Sequence, residues 1–144
     1  MKIVVQRVSE ASVTVDGNVT GKIGAGLLIF FGAGKGDTRA DAERLAKKIS
    51  SLRIFSDEND KINLSVKDIG GRLLVISQFT LYANCTHGNR PDFLGAMPPK
   101  EAEELYEYFI SECEKYIPGV EKGIFGADMK VSLLNDGPFT VILE

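Results

Sequence analysis

The sequence predicts an α+β domain: a mainly antiparallel sheet curled into a barrel-like layer, with two main helices packed against it. Three observations lead there. Short alternating or continuously apolar segments, about seven to nine of them, read as strands and dominate both ends of the chain. Only two stretches space their apolar residues helically. No repeat, low-complexity tract or linker interrupts the 144 residues, so 1–144 reads as a single domain with one core.

The first strand expected is Lys2–Val8, rich in Val and Ile. Ser12–Val15 and Asn18–Ile23 alternate around Asp16-Gly17, a pair that favours the positive φ values of a tight hairpin turn. Gly26–Phe31 is continuously apolar, as in a buried strand. The glycine-rich Gly32–Gly36 then turns the chain. It is no phosphate loop, because Lys35 is followed by Gly36 and Asp37 rather than by Ser or Thr.

A helix is expected from Thr38 to Ser51, capped by Asp37 or Thr38 and striped by Ala42, Leu45, Ala46 and Ile49. Lys47 and Lys48 fall on its solvated face. Leu52–Phe55 and Ile62–Leu64 pair across the polar turn Ser56–Asp60, and Arg72–Ser77 is a second buried strand. Residues 87–94 form a loop. Pro98-Pro99 opens a second helix over Lys100–Tyr116, which Pro118-Gly119 stops. Val120–Phe125, Met129–Leu134 and Phe139–Leu143 are the last strands, with a turn at residues 135–138.

Composition narrows the function. A net charge of −3 and a pI near 5.3 argue against broad nucleic-acid binding, though not against recognition of one RNA end. No apolar run is long enough to span a bilayer and no leader pattern opens the chain, so a cytoplasmic, membrane-free protein is expected. Cys85 and Cys113 form no CxxC pair and His87 is the sole histidine, so no metal site is expected.

Conventional catalytic constellations are absent too. Cys85 and His87 could meet in their loop, but catalytic Cys–His pairs are normally distant in sequence and oriented by a third residue. Cys113 sits on a helical core stripe. The glutamates near the start of the second helix suit its dipole.

Two segments resist a purely structural reading. Ser77-Gln78-Phe79-Thr80-Leu81 places polar groups at the end of an apolar strand. Asn135-Asp136-Gly137-Pro138-Phe139-Thr140 offers a Gly-Pro tip whose carbonyls have little competing donor, suited to an ammonium group.

These segments, with MKIVVQRVSEASVTVDG, LRIFSDENDKINLSV, GGRLLVISQFTLYA and GIFGADMKVSLLNDGPFT, resemble the D-aminoacyl-tRNA deacylase family along essentially the whole chain. The resemblance implies that family's fold and a hydrolase without cofactor. Its substrates would be D-aminoacyl-tRNA and glycyl-tRNA. It implies a homodimer in which Gly137-Pro138, in the cis form, enters the partner's active site and rejects L side chains by steric clash. Ser77, Gln78, Phe79 and Thr80 would form the catalytic pocket, with backbone N–H groups near Phe79 and Thr80 holding the oxyanion. Arg7 would fix the Gly-Pro tip, Asn135 would belong to the same turn, and Phe125 and Met129 would enclose the terminal adenine.

The ribose 2′-OH would assist attack by water, leaving Thr80 a positioning role rather than that of a nucleophile. The loop departs from the family pattern: Asn84, Cys85, Thr86, His87 and Asn89 make it less basic, although Arg90, Pro91 and Phe93 are kept. Two competing readings are a thiol hydrolase using Cys85 and His87, and a dimeric RNA-end binder without turnover.

Overall fold

The computed structural model describes residues 1–144. Strand β1 (Lys2–Val15) organises the main sheet. It pairs antiparallel with β2 (Asn18–Ile23), β3 (Gly26–Gly32) and β8 (Lys130–Leu143). β6 (Arg72–Ser77) runs parallel to β3, and the short β7 (Glu121–Lys122) runs parallel to β6. β4 (Arg53–Ser56) and β5 (Ile62–Ser65) make a separate antiparallel pair. The sheet is therefore mixed and nearly closed, with antiparallel pairing in the majority and two helices against it.

Local chemistry explains the elements. Asp16 and Gly17 take φ values of 49° and 78°, as the hairpin requires. Helix α1 (Arg39–Ser51) begins at Thr38 with a reciprocal capping box: the Asp41 carboxylate accepts from the Thr38 N–H at 2.9 Å. These hydrogen bonds hold the Asp41 carboxyl below its ordinary pKa. Helix α2 (Pro99–Glu114) starts on proline, whose missing N–H costs nothing in a first turn.

The larger core lies between sheet and helices. Leu45 and Ile49 of α1 and Tyr106, Phe109 and Cys113 of α2 meet Ile3, Leu27, Ile29, Leu73 and Val75 there. Each such aliphatic or aromatic side chain stabilises the fold by about 1.5–3 kcal/mol when fully buried. The Tyr106 hydroxyl is satisfied, donating to the Val75 carbonyl at 2.7 Å. A second cluster, including Val13, Ile23, Leu28, Leu74 and Ile76, fills the other face of the sheet.

Three expectations are corrected. Lys2–Val8 and Ser12–Val15 are one strand, because β8 runs along the edge of both. Val120–Phe125 shrinks to Glu121–Lys122, because the chain turns just beyond, where the Ala127 N–H donates to the Ile124 carbonyl at 3.2 Å and Gly126 takes a φ of 76°. Residues 135–138 do not separate two strands. β8 is continuous, and Val8 faces Asn135 while Gln6 faces Thr140. Asp136–Phe139 therefore bulge out of the ladder opposite the single residue Arg7. Proline has no N–H for a ladder and fits in such a bulge.

Candidate active site

β6 delivers the first group of residues. Its pairing with β3 extends one step beyond Ser77, where the Gln78 N–H donates to the Phe31 carbonyl at 2.7 Å. The chain then winds into a short 3-10 turn, Phe79–Tyr82, whose first bond runs from the Leu81 N–H to the Gln78 carbonyl. The N–H groups of Phe79 and Thr80 precede that bond, so the turn gives them no acceptor.

Ser77, Gln78 and Phe79 line a cleft of about 250 Å³. Phe125, Asp128 and Met129, from the segment entering β8, form its opposite wall, and Phe31 and Ala102 contribute to it as well. The lining is chiefly apolar, with Ser77, Gln78 and Asp128 as its polar side chains, as in many small-ligand sites. Phe125 is fixed from behind by Tyr106, with ring centroids 5.8 Å apart. Phe79 is 57% exposed and meets Phe93 edge-on at 5.0 Å.

Thr80 is exposed and does not line the cleft; its hydroxyl accepts a hydrogen bond from the Gln78 side-chain amide. No base stands beside it. Cys85 is exposed on the loop outside the cleft, as is His87. Cys113 is buried in the core, and burial pushes its thiol pKa up to about 12. No group of His, Cys, Asp and Glu comes together as a metal-binding cluster.

The second group forms around Arg7. This side chain is buried, 8% exposed. It donates to the Ile54 carbonyl at 2.7 Å, to the Asp136 carbonyl at 3.1 Å and to the Gly137 carbonyl at 3.5 Å. The Asp136 carboxylate pairs with the guanidinium at 3.1 Å, and the Phe139 ring lies beneath it at 4.5 Å. The Asn135 amide donates to the Arg7 carbonyl at 2.9 Å and to the Phe139 carbonyl at 3.2 Å. The bulge is thus tied down at both feet. Its crest, Gly137-Pro138, is solvent-exposed with a cis peptide bond.

Within one chain these two groups do not meet. No residue of Asn135–Phe139 lines the cleft of Ser77–Phe79. Sequence reading missed Asp136, Ile54 and Phe139 as braces of Arg7. The Asp and Phe flank the Gly-Pro pair and were visible, whereas a carbonyl from β4 leaves no trace in the sequence. It also missed Ala102 and Asp128 in the cleft.

A largely apolar cleft at a strand end and a separately braced crest are the two candidate features of a binding site, and neither carries the usual nucleophile and base. Comparisons with known proteins identify the family. The model of the D-Tyr-tRNA(Tyr) deacylase family matches residues 4–144. The chain is 54% identical to the D-aminoacyl-tRNA deacylase of Pelobacter propionicus, covering all of this chain and 99% of the relative. It is 51% identical to that of Desulfitobacterium hafniense, covering 100% and 97%.

Among solved structures, the c-Myc DNA unwinding element binding protein superposes with a TM-score of 0.93 at 43% identity, over 100% of this chain and 98% of the other. A probable eukaryotic D-amino acid tRNA deacylase shares the fold, with a TM-score of 0.82 at 15% identity over 99% and 97%. The chain belongs to the D-Tyr-tRNA(Tyr) deacylase family.

Proposed function

We propose that this chain hydrolyses the ester joining a D-amino acid, or glycine, to the 3′-terminal adenosine of tRNA, and that it does so as a homodimer. The observation carrying this reading is the Gly137-Pro138 crest: exposed, braced by Arg7, and absent from the lining of its own chain's cleft. A two-fold axis would bring each crest to the other chain's Ser77–Phe79. The free edge of β8 carries exposed apolar side chains, Leu134 and Ile142 the most exposed, that a second copy would cover.

In this arrangement the crest carbonyls accept from the substrate ammonium. With amine and ester both fixed, a D side chain points to open space and an L side chain strikes the crest. Glycine has nothing to strike and is hydrolysed. The Phe79 and Thr80 N–H groups take the developing oxyanion. The adenine lies between Phe125 and Met129, both suited to a base face. An aminoacyl ester is already activated, and holding it beside its own 2′-OH supplies much of the rate. Protein side chains then need not act as base or nucleophile.

A single comparison tests this. Matched D- and L-tyrosyl-tRNA are incubated with the protein and release is followed. Release from the D form alone supports the reading. Equal release from both removes steric rejection, and binding without release from either supports an RNA-end binder instead.

A further inference from the structure

Two shallow clefts on the outer side of α1, of about 400 and 350 Å³, share Lys47 and Ser51 and so form one continuous groove. Its cations come from three separate parts of the chain: Arg44, Lys47 and Lys48 from α1, Arg53 from β4, and Lys67 from the turn after β5. The carboxylates along it are Asp68 and Glu144. Asp68 is occupied, accepting from the Ser65 N–H at 2.8 Å and the Ser65 hydroxyl at 2.9 Å.

Lys47, Lys48 and Lys67 are exposed and make no ion pair, whereas Arg44 pairs with Asp41 at 3.6 Å and Arg53 donates to the Asn63 carbonyl at 2.8 Å, so the three lysines are the groove's free cations. A cation near a helix C-terminus is ordinary, and that accounts for Lys48. It does not account for Lys67, which reaches the same groove from another element. Ser51 and Tyr116 add hydroxyls to the same groove. Lysines with neighbouring hydroxyls along a track are the chemistry of sugar-phosphate contacts, which fix register without reading sequence.

We infer that this groove binds the phosphate backbone of the substrate RNA away from its 3′ end, giving the protein a second, sequence-independent hold on the tRNA. The inference rests on the deacylase reading for the identity of the RNA. It also compensates for the sparsely basic loop at residues 84–89. A compact chain of this size has a radius of gyration of roughly 15 Å, less than the length of an RNA stem with its single-stranded end.

The test uses uncharged tRNA, so that binding is read without the ester. Affinity is measured by fluorescence anisotropy from 50 to 200 mM salt for the wild type, K47E/K67E, K47Q/K67Q, and a control, K61E/K100E, which makes the same charge change at exposed lysines outside the groove. Both groove variants should flatten the log–log salt slope by about 2, and the charge reversal should weaken binding at least about tenfold at 0.1 M salt. The control should shift affinity less than about threefold. In parallel, the ratio of kcat/KM on D-tyrosyl-tRNA to that on 3′-D-tyrosyl-adenosine should fall at least about tenfold in K47E/K67E, through KM. Unchanged slopes in both groove variants, or an equal loss in the control, overturn the inference. A wild type that releases D-tyrosine from neither substrate overturns the deacylase reading instead, while the salt slopes still decide the groove.

Discussion

Replacing Gly137 by alanine separates folding from function at the crest. A Cβ built at Gly137 meets only the Asn135 side-chain oxygen, at 3.8 Å, an ordinary van der Waals contact. The residue does not need the left-handed region, since it is not among the glycines with positive φ. In the isolated chain the substitution should therefore be tolerated, changing stability by less than about 1 kcal/mol through the unfolded state. In the proposed dimer the added methyl points into the gap between crest and bound aminoacyl group. Forcing one methyl into a filled space costs about 1–3 kcal/mol, or roughly 5- to 150-fold in kcat/KM. D-tyrosyl-tRNA deacylation, light scattering for oligomeric state and thermal melting are measured together. The expected outcome is an unchanged dimer with an unchanged Tm and a loss of that size. Full activity in a folded dimer would show that the crest does not approach the substrate, and the steric account of chirality would fall.

Arg7→Lys keeps the charge but not the fork that reaches Ile54, Asp136 and Gly137 at once. Losing one buried charge-assisted bond costs about 1.5–3 kcal/mol. At roughly 3 °C per kcal/mol, the melting midpoint should fall by about 5–9 °C, together with discrimination between D- and L-tyrosyl-tRNA. Thr80→Ala should retain release of D-tyrosine within about tenfold in single-turnover assays, because positioning contributes less than a nucleophile would; a loss of several orders of magnitude would make Thr80 the attacking group. Cys85 should react with a thiol reagent in the native protein and Cys113 only after denaturation, since burial keeps the latter neutral to about pH 12. The same shift makes the folded state hold a proton that the unfolded state has lost, so stability should decline as pH rises from 9 to 12, and Cys113→Ala should flatten that decline. Chemical unfolding across that range measures it; an unchanged slope would remove Cys113 as the cause.

Both helices and most strand positions were legible because their signals are local: capping at Thr38, proline at the start of α2, alternation around Asp16-Gly17. What escaped was set by distant partners. The ladder with β8 makes one strand of Lys2–Val15, and the same ladder turns an apparent hairpin at residues 135–138 into a bulge. Ser77, Gln78, Phe79, Phe125 and Met129 do converge on one cleft. The wall from Phe125 to Met129 carries no pattern of its own, and only the family resemblance marked those residues. Burial of Arg7 was equally hidden, because an arginine inside a strand reads as solvated until Ile54, Asp136 and Phe139 surround it.

The bulge opposite Arg7 has a kinetic implication. Selective crests on mobile loops swing, and each swing admits errors in proportion to the time spent open. Here both flanks are stitched into the same ladder and Arg7 holds the carbonyls between them, so displacing Gly137-Pro138 means breaking the guanidinium's bonds rather than turning a free hinge. Fidelity should then vary little with viscosity or with modest warming, and should collapse only near the temperature at which the sheet itself melts.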